Sequence, residues 1–170
     1  MIFLGIDPGY AIVGYGVVRV EGNRFSMLEY GAATTQAGER MPARLNQIYE
    51  QISAVMARYP IDEMAIEELF FNTNSTTAIA VGQGRGVVLL AAERAGLPVF
   101  EYTPLQVKQG VCGYGRAEKK QVMEMTRRLL ALEKIPRPDD AADALAIAIC
   151  HANLRRNAAS ARVIQTITRK

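Results

Sequence analysis

The chain has 170 residues, 49% of them hydrophobic and 22% charged, with a net charge of +3; this supports one globular domain and excludes disordered, collagenous and disulfide-scaffold classes. No apolar run approaches the ~20 residues that span a bilayer, and MIFLGID lacks the basic and long apolar parts of a secretory signal. A cytoplasmic protein is expected, and Cys112 and Cys150, which form no CxxC-type pair, are expected as reduced thiols.

IFLGID reads as a first strand, stopped by the turn formers Pro8 and Gly9. GYGVVRVEG and RFSMLEYGAA read as two more, separated by the hairpin signal Gly22-Asn23. Over residues 42–59, Leu45, Ile48, Ile52, Val55 and Met56 recur at helical spacing until Pro60. MAIEELFF is a short buried strand ending near Glu67 or Glu68, and a helix over about residues 76–94 stops at Gly96. PVFEY is the fifth strand, QVKQGVCGYGRAEKK a flexible glycine-rich loop, and EKKQVMEMTRRLLAL a helix; a last helix starts after Pro138. The order βββαβαβαα is a mixed α/β layer architecture. We expect a domain over residues 1–155 and a basic tail over 156–170.

Charge is divided unevenly along this order. Residues 1–103 carry 7 basic and 11 acidic side chains, and residues 104–170 carry 13 and 6. Solvated surface accounts for most charge runs, yet a basic half beside a separate acidic cluster favours a polyanionic partner such as nucleic acid.

Four acids stand out. Asp7 ends the first strand, a common place for site residues, although an Asx-type turn before Pro-Gly would also explain it. Glu67 lies in an apolar segment where an unpaired carboxylate is costly; a salt bridge or a metal ion would each answer that cost. In RPDDAADALAIAICH, Asp139 reads as the helix N-cap, while Asp140 and Asp143 are neighbours on the first helical turn. The helix dipole accounts for Asp139 and Asp140 but not for Asp143 among alanines, and adjacent carboxylates repel unless a proton or cation lies between them. Four hard oxygen donors from three elements suit Mg²⁺ or Mn²⁺, and one histidine with two unpaired cysteines argues against zinc. Two such ions, ~3.5 to 4 Å apart, serve phosphodiester hydrolysis.

In these segments the chain resembles the RuvC-type Holliday junction resolvases. The resemblance runs in order through GIDPG with GYGVV, AIEELF, GQGRGV, PVFEY, QVKQ, AEKKQV and DAADALAIAICH. It implies an α/β, ribonuclease H-like fold with a mixed five-stranded sheet flanked by helices. It places the catalytic, metal-binding acids on Asp7, Glu67, Asp140 and Asp143, with Mg²⁺ as cofactor, two ions per site, and Mn²⁺ able to substitute. It also implies a homodimer that binds four-way junction DNA and makes paired, symmetric cuts in recombination and repair, alongside the RuvA junction-binding protein and the RuvB branch-migration ATPase.

Lys108 and Lys119 match lysines near the cleaved phosphate, and Arg116 and Lys120 are candidates for further backbone contacts. Phe70 matches an aromatic near the junction centre, where base stacking would contribute ~1 to 3 kcal/mol; Phe71 reads as core. GQGRGV is not a GxGxxG loop, so Gly82, Gly84 and Gly86 read as close helix packing. His151 is expected past the buried part of the last helix, structural or solvated. The helix from residue 76 is the candidate for part of the dimer interface.

Three rival readings exist. Actin-like ATPases and sugar kinases resemble GIDPG but need two such domains. Smaller RuvC-like nucleases that process structured RNA share the first motif, while AIEELF and DAADAL favour the resolvase. An inactive junction-binding protein would gain nothing from clustered negative charge.

Overall fold

The computed structural model describes residues 1–69 and 75–156. Phe70, Phe71 and residues 157–170 of the expected tail lie outside the described residues. Three strands open the chain, β1 (Ile2–Asp7), β2 (Ile12–Glu21) and β3 (Arg24–Thr34), each antiparallel to the one before. Gly22, at φ 59°, makes the tight turn between β2 and β3 that the Gly-Asn pair predicts.

The chain continues through α1 (Met41–Arg58), β4 (Glu63–Glu67), α2 (Ser75–Arg94), β5 (Val99–Tyr102), α3 (Pro104–Cys112), α4 (Lys119–Leu129) and α5 (Asp139–Arg156). The sheet order is β3-β2-β1-β4-β5, with β4 parallel to both β1 and β5. This is the mixed five-stranded sheet flanked by helices that the resemblance implies.

Strand alternation divides the core into two layers. Leu4, Ile6, Met64 and Ile66 pack with Ile48, Ile52 and Val55 of α1 and Val88, Ala91 and Ala92 of α2. Phe3, Ala65 and Tyr102 point the other way, onto Leu145 through Ile149 of α5. The helix α5 is covered by the sheet beneath it and by α3 and α4 beside it, so Ala141, Ala142 and Ala144–Ala152 are all buried. That enclosure explains why its sequence shows almost no polar face.

Glycine lets α5 lie directly on the strands. A methyl group at Gly5 of β1 would sit 2.0 Å from the Ala144 carbonyl oxygen, and one at Gly14 of β2 2.1 Å from the Asp140 carbonyl oxygen. With alanine on the helix and glycine on the strands, backbone meets backbone, and the distance of α5 from the sheet is set closely.

The sequence reading misses α3, which replaces much of the expected glycine-rich loop. Its start is a capping box: the Gln106 amide donates to the Thr103 hydroxyl, and the Thr103 amide donates to the Gln106 side chain, with Pro104 in the first turn. Gly110, expected in the loop, lies inside α3 and packs on Cys150, while Gly113 closes the helix at φ 85°. Of the three α2 glycines, Gly84 packs closely, against the Gly9 carbonyl; among the described residues, and apart from the backbone of α2 itself, nothing lies within 4 Å of a methyl added at Gly82 or Gly86. Arg85 of that motif pairs with Glu101 of β5.

Candidate active site

Two parallel neighbouring strands end at the same sheet edge. The β1–β4 register pairs Ile6 with Ile66, so Asp7 and Glu67 follow side by side at the carboxyl ends. Because Phe3, Gly5 and Asp7 alternate onto the α5 face, as do Glu63, Ala65 and Glu67, both carboxylates turn toward the start of α5. Asp7 pairs across β2 with Gly14, and Gly14 is the residue on which the Asp140 carbonyl rests. Asp143 follows one turn later.

Electrostatics register this convergence. Burial, then the charges of Glu67, Asp143 and Asp140, push the Asp7 carboxyl from its ordinary 3.8 up to about 8, opposed by Lys119. Burial and Asp143 likewise raise Glu67, with Lys119 and Lys108 opposing. The carboxylates are thus short of positive charge. Lys119, the first residue of α4, partly supplies it: its Nζ donates to Asp143 Oδ2 at 2.9 Å and stands 3.7 Å from Asp139 Oδ2. The bond to Asp143 in turn raises the Lys119 ammonium.

Glu67, Lys108, Lys119 and Asp143 line one cleft of about 270 Å³, floored by Val107, Val122 and Ala146. Arg116 is exposed between α3 and α4, and Lys120 is exposed on α4, in a neighbouring groove with Tyr114 and Arg128. Among the described residues no three His, Cys, Asp or Glu side chains are close enough together to enclose a metal ion. What fits a hard divalent cation is the chemistry of the donor set: oxygen ligands only, partly buried, with the Asp7 carboxyl pushed up by burial and by its acidic neighbours.

Two residues differ from the sequence reading. Asp139 is not the N-cap: the Ala141 and Ala142 amides donate to the Pro138 carbonyl, so the chain is already helical at Asp139, whose carboxylate pairs with Arg137. His151 is wholly buried and hydrogen-bonded to Tyr102 and Glu63. No local pattern announces that burial, because its partners lie 49 and 88 residues away. The Thr-Pro-x-Gln start of α3, which carries Lys108 into the cleft, is the one missed signal that was legible.

Comparison with known proteins gives one consistent result. The family model described as crossover junction endodeoxyribonuclease RuvC matches residues 3–151. A relative of that description from Brevibacillus brevis is 59% identical over 155 residues, 91% of this chain and 93% of its own. Among solved structures, Thermus thermophilus RuvC is similar with a TM-score of 0.90 at 38% identity, covering 98% of this chain and 100% of that one. The same protein in complex with Holliday junction substrate gives 0.88 at 36% identity, covering 98% and 99%.

Proposed function

Since the chain belongs to the RuvC family of crossover junction endodeoxyribonucleases, we propose that it resolves four-way DNA junctions by paired, symmetric, Mg²⁺-dependent phosphodiester hydrolysis. The carrying observation is the convergence of Asp7, Glu67, Asp140 and Asp143 at one sheet edge, with Lys108 and Lys119 beside them. The ribonuclease H-like sheet supports this reading, since both strand ends and the α5 terminus are held by its core. The four acids would hold Mg²⁺, or Mn²⁺ in its place. Two bound ions would supply a nucleophilic water and stabilise the leaving oxygen. Lys119 and Lys108 offset phosphate charge at the cleft, and Arg116 and Lys120 extend that positive surface along the backbone.

Residues 1–155 form the nuclease domain in this reading, with 156–170 as a basic tail; Arg156 itself closes α5. Among the described residues no helix is long and apolar enough to cross a membrane. The proposed partners are the junction, a second copy of the chain, and the RuvA and RuvB proteins, and the proposed location is the cytoplasm. A deciding experiment incubates the protein with a mobile four-way junction, duplex DNA and structured RNA, each with Mg²⁺ and with chelator. Symmetric nicking of the junction alone, with Mg²⁺ only, is the expected result; equal cutting of duplex or RNA would overturn the assignment.

Lys119→Ala is expected to slow cleavage by about tenfold or more, by removing a charge-assisted phosphate contact. It should also flatten the salt dependence of junction binding by nearly one unit of log–log slope, measured by titration across salt concentrations. An unchanged slope would count against phosphate contact.

The dimer would form through α2. Ile79 and Leu90, three turns apart on one side of that helix, are 68% and 53% exposed, and Gly86 between them leaves the face open. Replacing both by Glu is expected to shift sedimentation from dimer to monomer, with the circular dichroism of the folded domain retained. A persistent dimer would place the interface elsewhere.

A further inference from the structure

At the start of β4, the end away from Glu67, His151 joins Glu63 in a buried polar chain with Tyr102, whose backbone pairs with Glu67 and whose side chain reaches back along the sheet. The Glu63 carboxylate can only accept, so His151 Nε2–H donates to its Oε2 at 2.8 Å, and the Tyr102 hydroxyl donates to Nδ1 at 2.7 Å. Burial raises the Tyr102 hydroxyl, which keeps its proton available for that bond. Arg155 pairs with the second Glu63 oxygen at 2.9 Å. The imidazole meets Phe3 edge-on at 4.7 Å and a tilted Phe100 ring at 4.8 Å between ring centres, and none of it is exposed. Both ring nitrogens and both carboxylate oxygens are satisfied, so one rotamer and one axial position of α5 meet every bond.

The two joined elements also carry the acids. From Glu63 to Glu67, four residues of β4 rise about 13 Å. From His151 back to Asp143, eight residues of α5 rise about 12 Å. Since α5 runs antiparallel to β4 on the face shown by Glu63, Ala65 and Glu67, the lengths nearly match. The Glu63–His151 bond closes one end of this pair of arms, and Glu67 and Asp143 face each other at the other.

We propose that His151 is a positioning residue for the active site: held by Glu63 and Tyr102, it sets the axial position of α5 and thereby the placement of Asp140 and Asp143 against Asp7 and Glu67. Hydrophobic packing alone is permissive in this direction, because alanine against glycine offers a smooth surface along the helix axis. The polar chain supplies the stop. The inference rests on the metal-binding reading of the four acids.

The test is Mn²⁺ uptake in the absence of DNA, followed by electron paramagnetic resonance, beside the Mg²⁺ concentration for half-maximal junction cleavage. His151→Phe keeps the aromatic packing and leaves Glu63 paired with Arg155. It is expected to weaken Mn²⁺ binding about tenfold and to raise the Mg²⁺ requirement similarly, with junction affinity in chelator within about twofold of wild type. Tyr102→Phe, which removes one hydroxyl and is safer for folding, is expected to weaken Mn²⁺ binding about threefold. Ile52→Ala, in the core behind the sheet, serves as the control for general destabilisation and is expected to bind Mn²⁺ as wild type does. Wild-type Mn²⁺ affinity in both His151→Phe and Tyr102→Phe, or an equal loss in Ile52→Ala, overturns the positioning role alone. Failure of the wild type to take up Mn²⁺ overturns the metal reading and this inference with it.

Discussion

Asp7→Asn is expected to lower Mg²⁺-dependent junction cleavage by on the order of a thousandfold or more, while junction binding in chelator stays within about twofold. Asparagine keeps the shape but cannot carry the negative charge that a hard cation requires. The same substitution is expected to stabilise the metal-free protein at alkaline pH. In the folded state Asp7 keeps its proton up to about pH 8, whereas the unfolded chain releases it near the ordinary 3.8. Across that window the folded state binds the extra proton, so the contribution of Asp7 to stability falls as pH rises. Asparagine removes that fall. Melting curves in chelator at pH 5 and pH 8 should therefore show a larger gain for Asp7→Asn at pH 8. By the same linkage, Mn²⁺ affinity of the wild type should climb between pH 6 and 8 as the proton is displaced. Undiminished cleavage by Asp7→Asn would sink the assignment of the site.

Gly14→Ala is expected to cost about 1–3 kcal/mol of stability and to depress cleavage beyond what the loss of folded protein explains. The added methyl would lie 2.1 Å from the Asp140 carbonyl oxygen and 2.3 Å from its carbon. Those atoms belong to a helix backbone, so no rotamer change relieves the clash; the first turn of α5 must lift. Asp140 then leaves the strand pair that carries Asp7, because Asp7 and Gly14 are cross-strand partners. Denaturant unfolding and cleavage by folded protein separate the two effects. Wild-type values in both would show that α5 has room to move at this point.

Much of the architecture is legible in local pattern. The Gly22-Asn23 turn between two apolar strands and the stripe from Ile48 to Met56 each state their structure within a few residues. The glycines around α3 hid a short helix that Pro104 in its first turn and the capping box at Thr103 begin. At Asp139, the preference of aspartate for the cap position yields to the Pro138 carbonyl and to pairing with Arg137 and Lys119.

By itself the sequence determined the order of elements apart from α3, the burial of most of the last helix, and which carboxylates stand at strand and helix ends, because these follow from spacing along one chain. Tertiary structure alone decided that Asp7 and Glu67 emerge side by side, that Gly5 and Gly14 admit the α5 backbone, and that His151 closes a buried chain with Glu63 and Tyr102. Those are relations between residues far apart in sequence. They come into being when parallel strand pairing and backbone-to-backbone packing bring the segments together, and no local propensity encodes the distance between them.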